Sequence, residues 1–154
     1  VVLLTGGVSM GDFDFVPGVL KDLGINLLFE SIAVQPGRPT IFGTGTGKYL
    51  FGLPGNPVSS FVQFELLVKP LLFALMGHQF KPVMFTLPMA QAYLRRNTKR
   101  KSLLPVVIRE NKVYPVEYHG SAHIHSYIFA EGIVAVEIGK MGIETGELVN
   151  VRQI

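Results

Sequence analysis

The 154-residue sequence contains no cysteine and no tryptophan, and only 16% of its residues are charged. Without cysteine there is no disulfide framework, no thiolate metal site and no cysteine nucleophile. That absence fits a reducing compartment. Scarce charge beside a hydrophobic share of 48% excludes a disordered chain, which needs the opposite balance. It leaves enough apolar material for one ordinary domain or two small ones. The net charge of +3 is mild, and the aromatics are mostly phenylalanine without an interleaved basic stripe, so nucleic acid is not implied. The longest apolar stretch, residues 61–76, is interrupted by Gln63, Glu65, Lys69 and Pro70, and is expected to be too short to span a bilayer. Val1 leads straight into an apolar run with no basic region and no cleavage site. That is not the layout of a signal peptide, and a chain opening inside a strand reads as a piece of something longer.

What is present is an apolar, turn-punctuated pattern that changes character near residue 78. Residues 1–4 read as a buried strand running into Thr5-Gly6-Gly7, the layout found at the carboxyl edge of a parallel sheet. Residues 16–23 read as a helix, with Pro17 in its first turn and Gly24 at its end. Residues 26–35 read as a strand, and 40–43 and 49–53 as two more, joined by a loop over 44–48. Residues 58–76 read as one long helix with a kink or break at Pro70, closed by Gly77. From Pro82 onward the pattern is short strand-like runs (84–87, 103–108, 113–116, 133–138 and 148–151), which suggest a small antiparallel barrel or sandwich. Ten of the 14 Lys and Arg, and six of the 11 acids, fall in this second half. The expected organisation is therefore an α/β domain over 1–77 and an all-β domain over 78–154.

Three stretches carry candidate chemistry. In Gly6-Gly7-Val8-Ser9-Met10-Gly11-Asp12-Phe13-Asp14, paired glycines let the backbone approach a ligand, and free N–H groups in such a loop can cradle a phosphate. Ser9 adds a hydroxyl, and Asp12 and Asp14 are hard oxygen ligands suited to Mg²⁺. A plain Gly-rich turn with a solvated acidic pair reads the same residues equally directly. In Pro36-Gly37-Arg38-Pro39 two prolines stiffen the turn, which would point Arg38 in a defined direction toward an oxyanion, or leave a rigid turn with a solvated Arg. In Pro54-Gly55-Asn56-Pro57-Val58-Ser59 a stiff loop opens the long helix, whose start favours anions, while Asn56 or Ser59 could simply cap it. Together these imply a phosphate-bearing ligand with Mg²⁺, and they do not name it.

At these residues the sequence resembles the molybdopterin molybdenumtransferase family, which includes bacterial MoeA and the gephyrin C-terminal domain. The resemblance rests on Gly6-Gly7-Val8-Ser9-Met10-Gly11 with Asp14, then Pro36-Gly37-Arg38-Pro39, then Leu53-Pro54-Gly55-Asn56-Pro57-Val58-Ser59. It continues more weakly through Gly120-Ser121, Ala130-Glu131-Gly132 and Gly146-Glu147. It implies a partial doubly wound, MogA-like α/β sheet domain followed by a small all-β barrel domain. It implies insertion of molybdenum from molybdate into adenylylated molybdopterin, in a Mg²⁺-dependent step that releases AMP. By position, Gly6, Gly7, Ser9 and Gly11 would line the nucleotide and phosphate site. Asp14 would be the acidic residue tied to Mg²⁺ and catalysis, with Asp12 as a further Mg²⁺ ligand. Pro54, Gly55, Asn56 and Ser59 would shape the pterin and molybdate side. Arg100 and Ser121 match positions the family uses near the pterin across a dimer. The resemblance further implies a cytoplasmic homodimer with no nucleic-acid or membrane partner.

The sequence departs from the family pattern at Gln35, where a lysine often precedes Pro-Gly-x-Pro, and at Ser31, where a basic residue often stands. Arg38 could supply one of these charges. His119, His123 and His125 invite a metal reading, since alternate spacing would put His123 and His125 on one face of a strand, but the matching family segment binds no metal, and solvated or packed histidines are expected. The family chain is much longer, so these 154 residues alone are expected to be inactive and to leave a sheet edge open. A MogA-like adenylyltransferase is the rival enzyme, weakened by the Gly-Gly-Val-Ser loop and by the β domain that follows. A gephyrin-like scaffold is the non-enzymatic rival, and a generic nucleotide-binding module the fallback.

Overall fold

In the computed structural model, residues 1–8, 15–116 and 130–154 are described. They form two units, Val1–Phe80 and Lys81–Ile154.

The first unit contains strands β1 (Val2–Thr5), β2 (Asn26–Phe29), β3 (Val34–Gln35), β4 (Ile41–Gly45) and β5 (Lys48–Leu53). It also contains helix α1 (Val16–Asp22) and a continuous helical run over residues 57–75. Its four-stranded sheet has the order β1-β5-β4-β2. Only β1 and β5 run parallel, and β4 is antiparallel to both neighbours. The sheet is therefore mixed, within an α/β unit. β4 and β5 pair down to Gly45 and Lys48, so the loop expected over 44–48 shrinks to Thr46-Gly47, with Gly47 in the left-handed region. The strand expected over 26–35 stops at Phe29. Ile32 instead donates its N–H to the Arg38 carbonyl at 3.0 Å, which folds the segment onto the 36–39 turn.

Successive side chains of β5 point to opposite faces, and each face is covered. Leu50 packs with Val8, Leu20 of α1 and Ile41. Phe51 and Leu53 pack with Val68 from the helical run, and the Phe42 ring lies 4.6 Å from the Phe51 ring. β1 is an edge strand, with Val2 and Leu3 exposed.

The helical run comprises α2 (Pro57–Gln63), a π-helical turn (Phe64–Val68) and α3 (Lys69–Leu75). Pro70 has no N–H and its ring would clash with a carbonyl four residues back in an α-helix. The wider turn just before it accommodates both without a break. Gly77 ends the run: its N–H bonds the Ala74 carbonyl and that of His78 bonds Phe73, which is a Schellman cap. The expectation that this stretch is too short for a bilayer needs correction. Pro57–Leu75 spans 19 residues with a mean hydropathy of 1.5, long and apolar enough by length and composition to cross one. Within the unit it is a packing helix. Gln63 and Val68 are fully buried, and Glu65 is paired with Lys69 at 2.9 Å.

The second unit is built from β6 (Met84–Pro88), β7 (Tyr93–Leu94), β8 (Lys101–Arg109), β9 (Lys112–Pro115), β10 (Gly132–Val136), β11 (Gly142–Ile143) and β12 (Leu148–Gln153). β9, β8, β10, β12 and β6 join in that order by antiparallel pairs, and β7 pairs with β11. Glu110 and Asn111 both take positive φ between the paired ends Arg109 and Lys112, as a two-residue hairpin turn requires. The two ends of the sheet meet at one bridge, Met89 to Val113, where Ala90 donates to the Val113 carbonyl at 2.8 Å. Among the described residues the barrel expected here is thus not closed by a continuous ladder. Met89, Val106, Val113, Val134, Val136 and Val151 form the centre of its core.

Candidate functional site

Parallel pairing of β1 with β5 sets Thr5 beside Leu53. The segments that follow these strands, Gly6-Gly7 and Pro54-Gly55, therefore emerge at one edge of the sheet. The Gly6 N–H ties the two together by bonding the Leu53 carbonyl at 3.0 Å. Carboxyl ends of parallel strands are where open α/β sheets bind ligands. Here they border a concavity of about 290 Å³ lined by Gly6, Gly7, Val8, Pro39, Pro54, Gly55, Asn56 and Ser59.

Gly6 and Gly7, at φ +83° and +64°, hold a backbone conformation that favours glycine, and a Cβ on Gly55 would stand in contact with the Gly6 Cα at 3.4 Å. The two bare backbones face each other, and side chains on either would fill the space between them.

The polar wall is the start of α2. Asn56 is the N-cap, and its Oδ1 accepts the Ser59 N–H at 3.1 Å and the Ser59 hydroxyl at 3.4 Å. Ser60 donates its N–H to the Asn56 carbonyl and its hydroxyl to the Pro54 carbonyl. Pro57 carries no N–H. The capping role considered for Asn56 is therefore real, and most first-turn donors are satisfied within the loop. Ser59 nonetheless lines the concavity while 8% exposed. Among the described residues the lining carries no ionisable side chain. Its chemistry is backbone amide, carboxamide and hydroxyl, which suits the oxygens of a phosphate or other oxyanion.

Of the residues singled out in the sequence, Gly6, Gly7, Pro54, Gly55, Asn56 and Ser59 meet in this concavity. Arg38 does not line it. The prolines fix the backbone of that turn, but the Arg38 side chain is exposed and only its carbonyl is engaged, by Ile32 and Thr40. Arg100 lies in the second unit, half-buried, with its carbonyl accepting from Arg95. Ser9, Gly11, Asp12, Asp14 and Ser121 lie outside the described residues, as do His119, His123 and His125. Among the described residues no cluster of three or more His, Cys, Asp or Glu is placed to hold a metal.

Sequence reasoning missed four residues. Val8 and Pro39 are walls of the concavity, and both sit inside motifs chosen for their polar neighbours. Gln63 braces the 36–39 turn, and its signal is a polar residue one helical turn after Ser59 in an apolar helix. Arg95 gives its guanidinium to the carbonyls of Lys140, Arg100 and Glu137, which locks two loops of the second unit together.

Comparison with known proteins fits this layout. Residues 1–74 match the family described as "probable molybdopterin binding domain", and residues 89–154 match the MoeA C-terminal region, domain IV. The chain belongs to the molybdopterin molybdenumtransferase (MoeA) family. It is 31% identical over 155 residues to a molybdopterin molybdenumtransferase of Staphylococcus epidermidis, covering 98% of this chain and 37% of that one. To one of Staphylococcus aureus it is 47% identical over 77 residues, which is 50% of this chain and 18% of that relative. The crystal structure of a molybdopterin biosynthesis MoeA protein from Pyrococcus horikoshii superposes with a TM-score of 0.82 at 32% identity, covering 99% of this chain and 37% of the other. The chain thus spans little more than a third of the length of the relatives it matches throughout.

Proposed function

We propose that the chain serves molybdenum cofactor biosynthesis and, within a longer protein, the insertion of molybdenum from molybdate into adenylylated molybdopterin with release of AMP. The observation that carries this reading is the meeting of three sequence motifs in one concavity at the carboxyl ends of β1 and β5. The names of the relatives support the same reaction. In this reading the Gly6-Gly7 backbone, continued by Ser9 and Gly11, receives the phosphate of the adenylate. Pro54, Gly55, Asn56 and Ser59 shape the pterin and molybdate side. Stiff walls would hold both in reacting distance, so that a molybdate oxygen attacks the AMP phosphorus while the phosphoanhydride bond to the molybdopterin phosphate breaks, and AMP leaves with that oxygen.

The neutral lining suits phosphate oxygens better than a bare cation, so Mg²⁺ falls to Asp12 and Asp14, four and six residues beyond Val8. When bound, the ion would neutralise phosphate charge. Arg38, exposed beside the wall residue Pro39, would supply a cation at the rim where Gln35 and Ser31 supply none. In the longer protein the four-stranded sheet would belong to a doubly wound sheet and the second unit to a barrel. A homodimer would bring Arg100 and Ser121 to the pterin, in the cytoplasm.

The test is a crystal of the chain soaked with AMP, Mg²⁺ and molybdate. Density is expected against residues 6–14 and 54–59. Phosphate density at another place on the molecule removes the proposal. Full affinity for AMP in Arg38→Ala removes the rim cation alone.

A further inference from the structure

We infer that Gln63 is a positioning residue for this concavity, bracing the 36–39 turn from helix α2 and so holding the Pro39 wall. The inference rests on reading the concavity as the ligand site. Gln63 is fully buried, and its Nε2 donates to the Pro36 carbonyl at 2.8 Å. The next residue, Gly37, has φ +108°, and a Cβ there would lie 2.2 Å from Gln63 Nε2. The turn is thus seated on the carboxamide, and only a glycine leaves room for it. The turn is clamped on its other side by Thr40, also fully buried, whose hydroxyl donates to the Gly37 carbonyl at 2.7 Å. Between these two anchors the Arg38 carbonyl accepts the N–H groups of Ile32 and Thr40, each at 3.0 Å. Pro39, held between them, lines the concavity.

Ser59 and Gln63 stand four residues apart, on one face of α2. The same helix face thus provides one wall of the concavity through Ser59 and steadies another through Gln63. Gln63 Oε1 has no hydrogen-bond partner among the described residues. A buried acceptor left unpaired lowers stability, and this cost offsets the gain from the Nε2–Pro36 hydrogen bond, so the carboxamide adds little net stability. Orientation of the turn is the task that needs the carboxamide donor.

Amide hydrogen exchange and AMP titration in Mg²⁺, both on the 154-residue chain, test this with Gln63→Met and Thr40→Val. Methionine keeps the length of the side chain and donates nothing. In Gln63→Met the Ile32 and Thr40 amides are expected to exchange about tenfold faster while the β4–β5 amides keep their rates. AMP affinity is expected to fall about tenfold, with little change in melting temperature, because relief of the unpaired Oε1 offsets the lost hydrogen bond to Pro36. Thr40→Val removes the opposite anchor and should move the same two amides in the same direction. Unchanged exchange at Ile32 and Thr40, or a uniform rise across the unit with a lower melting temperature, overturns the brace. Faster exchange with undiminished AMP affinity overturns its role at the site. If the parent chain does not bind AMP, the ligand reading falls, and exchange at the two amides alone decides whether Gln63 braces the turn.

Discussion

The two units solve burial differently. In Lys81–Ile154 an aliphatic cluster, rich in valine, fills the space inside a curved antiparallel sheet, and Ser102 is its one buried polar residue among those described. In Val1–Phe80 the apolar core is divided between two faces of a sheet, and polar side chains are buried beside it: Thr40, Ser59, Gln63 and Glu65. Buried polar groups lower stability unless they are hydrogen-bonded. All but Glu65 lie in or directly behind the concavity. The contrast teaches where to look for function. The second unit is optimised as a packed frame, and the first gives up apolar packing where a ligand would sit.

The sharpest way to break this contrast is Met89→Ala. Met89 is fully buried in the second unit's core and makes the bridge that joins the two ends of its sheet. Truncation should lower stability by about 3 kcal/mol, the usual scale for emptying a tight core site, as read by urea denaturation. A loss under about 1 kcal/mol would mean that the core recloses and is no rigid frame.

Asn56→Ala asks the corresponding question of the first unit. It removes the acceptor of the Ser59 N–H and hydroxyl and should lower stability by about 1 kcal/mol, as a lost N-cap does. It should also weaken AMP in calorimetric titration, and unaltered binding would make Asn56 a cap and nothing more.

The smallest effect is electrostatic. The Lys140 ammonium and the Glu144 N–H hold the Glu147 carboxyl below the ordinary glutamate range. A carboxyl lowered on folding adds stability above its unfolded pKa, and that contribution is lost as pH falls through the folded value. The pair is exposed, so the effect on stability is slight. NMR titration should find the Glu147 midpoint lowered, and Lys140→Met should move it back up. An unmoved midpoint would show that the pair does not persist in solution.

Much of this architecture was legible because it follows from local rules. Five of the seven described strands of the second unit came out of short apolar runs between polar turns, though β7 and β11 did not, and the ends of the 57–75 helix came out of the Pro-Gly-Asn-Pro loop and Gly77. Other features were not legible. Residues 26–35 alternate loosely and carry Ile32 and Val34, yet the first strand ends at Phe29 because Ile32 finds its acceptor in the 36–39 turn, and only Val34–Gln35 resume strand structure. Arg38 stood open in the sequence between a directed cation and a solvated one, and the structure leaves its guanidinium exposed, because proline constrains only the backbone. Arg95 read as one cation among several, and only the fold brings three carbonyls within its reach.

By itself, then, the sequence determined most of the element types, the family and the three candidate turns, since glycine, proline and capping residues act over a few bonds. The tertiary structure alone decided that these turns share one concavity, because parallel pairing of β1 with β5 joins segments some fifty residues apart. It alone decided that Gln63 stands behind the Pro39 wall, because a contact between positions 36 and 63 depends on how a helix is laid against a sheet, and no local spacing encodes that.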